Sequence, residues 1–327
     1  MLSSRCARFR VQLRSVDLDL NSALTSDAVV EAVLQKIDNR TRLVVMDWIN
    51  SMTGFVFPVE RVVQACSEHT PRIPVAVDGA HTVGQVPVDL QALHADFFVS
   101  SLHKWLCCAK SLGIVYVAPS WQPYMAPIPQ SHSLAECFPQ DFLWAGTSDS
   151  SSVISLLAAL LWRSQVGECR IRNYCHFIAV EGARYLARCW KTEVLSPQSM
   201  IGALALVRLP RDSNLPLDLP SPQPMCKWED AGEEGEEVEE EVEEEEEENE
   251  DQFESLNVGS DDLTLFILTT RLRDHHKILA CIFPHPQHGL VCRVSGQIYL
   301  DMSHFKRMAL ALPSALRYTH RAMAKDV

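Results

Sequence analysis

Short β-rich runs alternate with helix-like segments between residues 26 and 149, and this alternation limits the folds open to the chain. Apolar residues recur at helical spacing over residues 28–37, where Ser26 or Asp27 can cap the helix, and over residues 58–66. The predicted strands cover residues 43–49, 75–77, 97–99 and 114–117. The first is expected to be covered on both faces. This order is typical of a mostly parallel sheet with crossover helices, in which ligands bind beyond the carboxyl ends of the strands.

The pattern changes after residue 150. A buried helix is expected near residues 153–162, and a long amphipathic helix near residues 168–190. The later predicted elements are strands at 204–209, 263–268, 278–283 and 292–299, and helices at 270–277 and from 302 onward. We therefore predict an α/β fold with a partial large domain over residues 1–166 and a small α+β domain over residues 167–327. A disordered Pro-rich and acidic insertion is predicted at about 210–260 of the sequence.

Charge separates this insertion from the rest of the chain. The formal net charge is −13, and 18 of the 42 acidic residues lie between Glu229 and Glu254, where there is no Lys or Arg. The remaining 24 acidic residues are outnumbered by 29 Lys and Arg, so the body carries +5. We predict no nucleic-acid partner. The acidic run is expected to be a solvated loop, with docking to a basic protein partner as its functional alternative.

The sequence favours a cytoplasmic location. The longest apolar run, residues 153–162, is too short to cross a bilayer, so no membrane association is predicted. Eleven cysteines without a secretory signal indicate a reducing compartment. The segment Met1–Ser15 holds four Arg, three Ser and no acidic residue, which is the composition of a mitochondrial transit peptide. Mitochondrial import is therefore the alternative.

Two adjacent strand ends carry reactive side chains. Asp78 follows one predicted strand, with His81 three residues later, and the next strand leads to Ser101, His103 and Lys104. Pyridoxal 5'-phosphate needs a lysine for its Schiff base, an acid that keeps its ring nitrogen protonated, and donors for its phosphate. These five residues supply all three requirements, although an Asp at a strand end also serves as a simple cap.

Five motifs occur in order along the chain: Trp-Ile-Asn-Ser-Met-Thr-Gly at 48–54, Asp-Gly-Ala-His at 78–81, Ser-Leu-His-Lys-Trp at 101–105, Trp-Ala-Gly-Thr-Ser-Asp at 144–149 and Arg-Val-Ser-Gly-Gln-Ile-Tyr at 293–299. Together they resemble the class V aminotransferase-type pyridoxal-phosphate enzymes of fold type I, and within them the isopenicillin N epimerase-like branch. The resemblance to cysteine desulfurases is more distant. Trp48 stands where relatives often carry His.

The resemblance implies roles for individual residues. Lys104 would form the Schiff base and shuttle the Cα proton, Asp78 would pair with the pyridine nitrogen, and His81 would lie near the phenolic oxygen. Ser101 and His103 would hold the phosphate.

Three further residues complete the implied site. Thr147 matches a residue that reaches the phosphate of the neighbouring subunit, so a homodimer is expected. Arg293 would bind the α-carboxylate of an amino-acid substrate, for which its planar fork is suited. Ser51 would lie near the cofactor. The resemblance thus implies an enzyme that acts at the Cα of an amino acid by transamination, epimerisation or elimination.

Two alternatives to that activity stay open. Relatives carry about half of a large domain before the point that matches residue 16, including strands and a phosphate-binding loop. Three explanations therefore stay open: an incomplete gene model, a catalytically impaired paralogue that acts through its acidic tract, or a partner chain that supplies the rest.

A cysteine desulfurase-like activity is the second alternative. It would need an exposed nucleophilic Cys, whereas Cys281 and Cys292 are expected in core strands. His285 and His288 have tolerable metal-ligand spacing, but we predict no metal site.

Overall fold

The computed structural model describes residues 2–19, 23–128, 138–142, 146–147, 149–211 and 262–325. Its helices are α1 (Leu2–Arg8), α2 (Ser26–Leu34), α3 (Val59–Glu68), α4 (Leu90–Leu93), α5 (Ser151–Val166), α6 (Glu168–Cys189), α7 (Asp262–Asp274) and α8 (Met302–Lys325). Its strands are β1 (Val44–Asp47), β2 (Val75–Asp78), β3 (Phe97–Ser101), β4 (Gly113–Val117), β5 (Leu204–Arg208), β6 (Cys281–His285) and β7 (Gly289–Ser295). Residues 212–260 of the predicted insertion lie outside the described residues.

The first sheet confirms the predicted mostly parallel arrangement. Its strand order is β1-β2-β3-β4, with β1, β2 and β3 parallel and β4 antiparallel to β3. Asp47 and Asp78 are paired in register at the carboxyl ends of β1 and β2. A 3-10 helix, Leu102–Lys104, follows β3 directly. The parallel strands therefore bring two carboxylates and a lysine to one edge of the sheet.

The second sheet is antiparallel, in the order β5-β7-β6. Its main core is built with α6, α7 and α8 and includes Trp190, Val207, Leu272 and Leu312, each at most 1% exposed. A separate cluster joins Ile49 and Trp105 to Ala203, Leu204 and Ile171. The two sheets are therefore packed together next to the lysine-bearing segment. The predicted division at residues 166 and 167 falls between α5 and α6, and as a domain boundary it stays a prediction.

The sequence predicts a strand at residues 263–268. This prediction is wrong, because these residues belong to helix α7. Leu268 and Leu272 are fully buried, whereas Leu263 is 50% and Phe266 is 63% exposed. Burial thus follows one helical face. A short apolar run cannot by itself distinguish a strand from a buried helix, because both bury a similar number of apolar side chains.

Helix α5 forms where a helix is predicted, but it is not buried as expected. Ile154, Leu157 and Leu161 are each about two-thirds exposed, at 68%, 66% and 65%, and only Ala159 and Arg163 of this helix are buried. The strand predicted at 43–49 is likewise open on one face, since Val45 is 44% exposed. Apolar composition predicted burial in both cases. Burial, however, requires a packing partner, and the described residues supply one on only one side of each element.

Other sequence-based boundaries shift by a few residues. Helix α2 is capped by Thr25, whose hydroxyl accepts a hydrogen bond from the backbone N–H of Ala28, and not by Ser26 or Asp27. Strands β6 and β7 lie about three residues from their predicted positions, and α6 and α8 are confirmed. Within the described ranges, no helix combines the length and apolar character that a membrane crossing requires.

Candidate active site

The carboxylates of Asp47 and Asp78 mark the carboxyl edge of the parallel strands. Asp78 Oδ1 accepts a hydrogen bond of 2.9 Å from the backbone N–H of Ala80, and Asp47 Oδ2 accepts one of 3.1 Å from Asn50 Nδ2. Burial and the negative charge of Asp78 raise the pKa of Asp47. Sequence reasoning missed Asp47. The signal that could have identified it is its position at the end of β1. This strand is parallel to β2, which ends at Asp78.

His81 lies between Lys104 and Trp105. Lys104 Nζ is 3.2 Å from His81 Nε2, and Trp105 Nε1 donates a 3.3 Å hydrogen bond to His81 Nδ1. The imidazole is only 8% exposed. Burial, together with the charges of Lys104 and Arg293, lowers the pKa of His81 to about 4, so the ring is neutral at neutral pH.

The amine of Lys104 is partly buried among charges of both signs. Burial lowers its pKa, and the positive charge of Arg293 acts in the same direction. The carboxylates of Asp78 and Asp47 oppose this effect, but the net direction is downward. A lowered pKa increases the fraction of neutral amine, which is the form that attacks a carbonyl carbon.

Arg293 reaches this edge from β7 of the second sheet. Its Nη1 donates to the backbone carbonyl of Ser51, an exposed residue that follows β1. Its Nε is buried and has no hydrogen-bond partner among the described residues. The guanidinium therefore lies in the same electrostatic environment as His81 and Lys104, with donor capacity left for an anion.

The residues expected to hold a phosphate are less closely grouped. Ser101 is partly buried at the end of β3, and His103 Nδ1 contacts the carbonyl oxygen of Leu112 at 3.2 Å. Thr147 is exposed. Residues 143–145 and 148, within and next to the 144–149 motif, lie outside the described residues. The structure thus brings together Lys104, His81, Asp78, Arg293 and the backbone of Ser51.

A buried network that the sequence did not predict supports this group. Arg163, 2% exposed, donates to the carbonyl oxygens of Trp105 at 2.7 Å and Gly84 at 3.1 Å, and it pairs with Glu168 at 2.6 Å. Gln85 donates to the carbonyl oxygen of His81 at 2.8 Å and accepts from the backbone N–H of Ala203 at 2.7 Å. Buried polar side chains of this kind lack a local sequence signal, because their partners are distant in the chain.

The structure also places Trp48, Cys281 and Cys292. Trp48, which stands where relatives often carry His, is 4% exposed and packs edge-on against Phe98, so it belongs to the core. Cys281, expected in the core, is exposed, because it occupies the end of strand β6, whereas Cys292 is 4% exposed. Among the described residues, no group of three or more His, Cys, Asp and Glu side chains could hold a metal ion.

The chemistry of the donor set fits the implied cofactor. A lysine of lowered pKa suits its aldehyde, a strand-end carboxylate suits its ring nitrogen, a neutral imidazole suits its phenolic oxygen, and a guanidinium suits a substrate carboxylate. His81, Asp78 and Arg293 each interact electrostatically with Lys104.

Comparison with known proteins identifies a family and several relatives of this chain. The family model described as Aminotransferase class-V matches residues 5–205. Putative L-cysteine desulfhydrase 1 of Oryza sativa subsp. japonica is 30% identical over 197 residues, which cover 57% of this chain and 40% of the relative. L-cysteine desulfhydrase of Arabidopsis thaliana is 33% identical over 172 residues, which cover 52% of this chain and 38% of the relative. The chain therefore spans less than half the length of these two curated relatives.

Solved structures show the same fold. The cysteine desulfurase CsdA of Escherichia coli superposes with a TM-score of 0.64 at 18% identity, covering 97% of this chain and 68% of that one. The cystine C-S lyase C-DES, in complex with its product cysteine persulfide, superposes with a TM-score of 0.65 at 16% identity, covering 95% of this chain and 71% of that one. The α/β architecture predicted from the sequence is thereby confirmed.

Proposed function

The chain belongs to the class-V aminotransferase family, and on that premise we propose that it carries the centre of a pyridoxal-phosphate-dependent enzyme acting at the Cα of an amino acid. The observation that carries the proposal is the position of the Lys104 amine. It lies 3.2 Å from a buried neutral imidazole and interacts electrostatically with two strand-end carboxylates and a guanidinium. A solvated surface lysine would have none of these neighbours.

Each residue of the group has a task that its chemistry allows. The Lys104 amine would bond to the aldehyde carbon of the cofactor, with the aldehyde oxygen leaving as water. Once the substrate amine has replaced it at that carbon, the free Lys104 amine would take and return the Cα proton. Asp78 would hold a proton on the pyridine nitrogen, and His81 would face the phenolic oxygen. When bound, the cofactor supplies an electron sink for the bond that breaks at Cα.

The remaining residues would orient the two anions. Ser101 and His103 would donate to the phosphate, with Thr147 from a second copy in a homodimer, and Ser51 would border the cofactor. Arg293 would bind the substrate α-carboxylate through the planar fork of its guanidinium. That assignment agrees with its unpartnered Nε and with its influence on the pKa of Lys104.

Among the reactions open at Cα, we propose an elimination that cleaves a carbon–sulfur bond. Relatives at 30% and 33% identity are named L-cysteine desulfhydrases, and a protein 27% identical over 202 residues is the hercynylcysteine sulfoxide lyase of Schizosaccharomyces pombe. The substrate would be an amino acid that carries sulfur on Cβ. The epimerase-like branch, which the motifs resemble, is the alternative that keeps all substrate bonds except Cα–H.

A desulfurase-like transfer of sulfur to a cysteine is a second candidate. Cys281 is exposed and is the register partner of Arg293 across β6 and β7. The expectation that this thiol is buried had counted against such a role, and the structure removes that objection. Cys281→Ser should abolish sulfur transfer to the protein if this candidate is correct, and it should leave sulfide release intact if the elimination is correct.

Cofactor binding to the full chain tests the proposal. Titration with pyridoxal 5'-phosphate should produce a visible absorbance band, and borohydride reduction should add the pyridoxyl mass to the peptide that contains Lys104. Lys104→Ala should lose both signals, whereas Lys110→Ala, a change at an exposed lysine of the following loop, should keep them. A chain that takes no cofactor would contradict the enzymatic function and support the impaired paralogue.

A further inference from the structure

Both ring nitrogens of His81 have a neighbour, and this determines where the ring carries its proton. The neighbour of Nδ1 is Trp105 Nε1 at 3.3 Å, and the neighbour of Nε2 is Lys104 Nζ at 3.2 Å. An indole N–H donates and cannot accept, so Nδ1 must accept. A neutral imidazole that accepts at Nδ1 carries its hydrogen on Nε2.

The position of the proton on His81 also determines the protonation state of Lys104. An Nε2–H group can only donate, so the lysine nitrogen must accept, and an ammonium group has no lone pair with which to accept. We propose that Trp105 is a positioning residue whose indole N–H fixes His81 in the Nε2–H tautomer, which in turn holds Lys104 as a neutral amine. This inference rests on the proposed function for the purpose of that amine, which is to attack the aldehyde of the cofactor.

The other charges near Lys104 do not settle its protonation state by themselves. Asp78 and Asp47 favour the ammonium form, whereas burial and Arg293 favour the neutral amine. Around His81, burial and the positive charge of Arg293 both favour the neutral ring, whichever form Lys104 takes. Because the carboxylates and the guanidinium act in opposite directions, the direction of the hydrogen bond between His81 and Lys104 decides whether Lys104 is a neutral amine.

The fold holds both rings in the orientation that this hydrogen bond requires. Trp105 is 4% exposed, and its backbone carbonyl accepts from the buried guanidinium of Arg163. His81 is anchored through its carbonyl oxygen by Gln85 Nε2. The two rings meet edge to face, with centroids 6.4 Å apart and an interplanar angle of 64°. Rotation of either ring would cost a buried hydrogen bond, so the arrangement resists tautomer exchange.

Nitrogen-15 NMR of the full chain without cofactor, labelled in histidine, tests the tautomer directly. The resonances of His81 are identified by their absence from the spectrum of His81→Gln. We expect a protonated Nε2 and an unprotonated Nδ1 at neutral pH. The opposite tautomer in the unmodified chain would overturn the proposal without any need for a Trp105 variant to fold.

A pair of tryptophan variants tests the effect on Lys104. Trp105→Phe removes the indole N–H, and the matched control Trp121→Phe removes another one, which donates to Asp96 Oδ1 at 2.8 Å next to the start of β3. The readout is the pH dependence of reductive methylation at Lys104, with Lys110 as internal reference. Trp105→Phe should raise the pKa of Lys104 by about one unit, a roughly tenfold loss of neutral amine at a pH below that pKa.

The outcomes of this pair are separable from those of the cofactor titration. An equal response of Lys104 in both tryptophan variants, or none in either, would overturn the role of Trp105. Failure of the chain to bind pyridoxal 5'-phosphate would overturn the proposed function, and it would leave the tautomer and the lysine pKa as measured.

Discussion

Arg163 donates from Nη1 to the backbone carbonyl of Trp105 at 2.7 Å, although the two residues are 58 positions apart. The bond ties α5 to the segment that carries Lys104. Since the same guanidinium also donates to Gly84 and pairs with Glu168, one side chain holds together three parts of the chain around the candidate site.

Replacement of Arg163 should therefore be costly. Arg163→Ala leaves Glu168 without its main partner and two carbonyl oxygens without a donor, and we expect a loss of about 3–5 kcal/mol in the free energy of unfolding. Urea denaturation measures this loss. Arg172→Ala, which removes a weaker and more exposed partner of Glu168 at 3.4 Å, should cost less than about 1 kcal/mol. Equal losses would show that the buried network does not stabilise the site.

Stability should fall in acid because of His81. Its pKa is near 4 in the folded chain and near 6.5 when unfolded, so the unfolded state binds more protons between these values. The stabilisation by this group is present above pH 6.5 and is lost as the pH falls toward 4. Urea midpoints at pH 7 and pH 5 should differ less in His81→Gln than in the unmodified chain. His94→Asn, a change at an exposed histidine, should preserve the difference.

Arg293 should govern substrate affinity. Arg293→Lys keeps the positive charge but loses the planar fork, and we expect KM to rise about tenfold with a smaller change in kcat. The matched control is Arg208→Lys in β5, an arginine that pairs with Glu193 at 3.3 Å on the same sheet. A KM that responds to neither substitution would exclude Arg293 from carboxylate binding.

The acidic tract should be separable from the chemistry. Deletion of residues 229–254 removes 18 acidic residues and none of the residues proposed for the site. Turnover and cofactor absorbance should be unchanged, whereas binding to basic protein partners, measured by pull-down, should weaken. Loss of turnover with intact folding would contradict the assignment of the chemistry to the body of the chain.

The sequence predicted those parts of the structure that depend on the spacing of residues close together in the chain. The mostly parallel sheet, helices α6 and α8, and the placement of Asp78 and Lys104 at neighbouring strand ends all follow from the spacing of apolar residues and from what comes after each run. Where spacing was ambiguous, as at residues 263–268, the strand assignment was wrong. Composition also predicted the burial of α5 and of both faces of β1. Burial, however, requires a packing partner, and local composition does not show whether one is present.

The sequence by itself determined the fold class and the kinds of reactive groups at the strand ends. The tertiary structure decided which of those groups meet: His81 with Lys104 and Trp105, Asp47 beside Asp78, and Arg293 beside Ser51. The physical reason is distance along the chain. Periodicity is set by residues a few positions apart, whereas hydrogen-bond direction and pKa are set by atoms a few ångströms apart that belong to segments far removed in sequence.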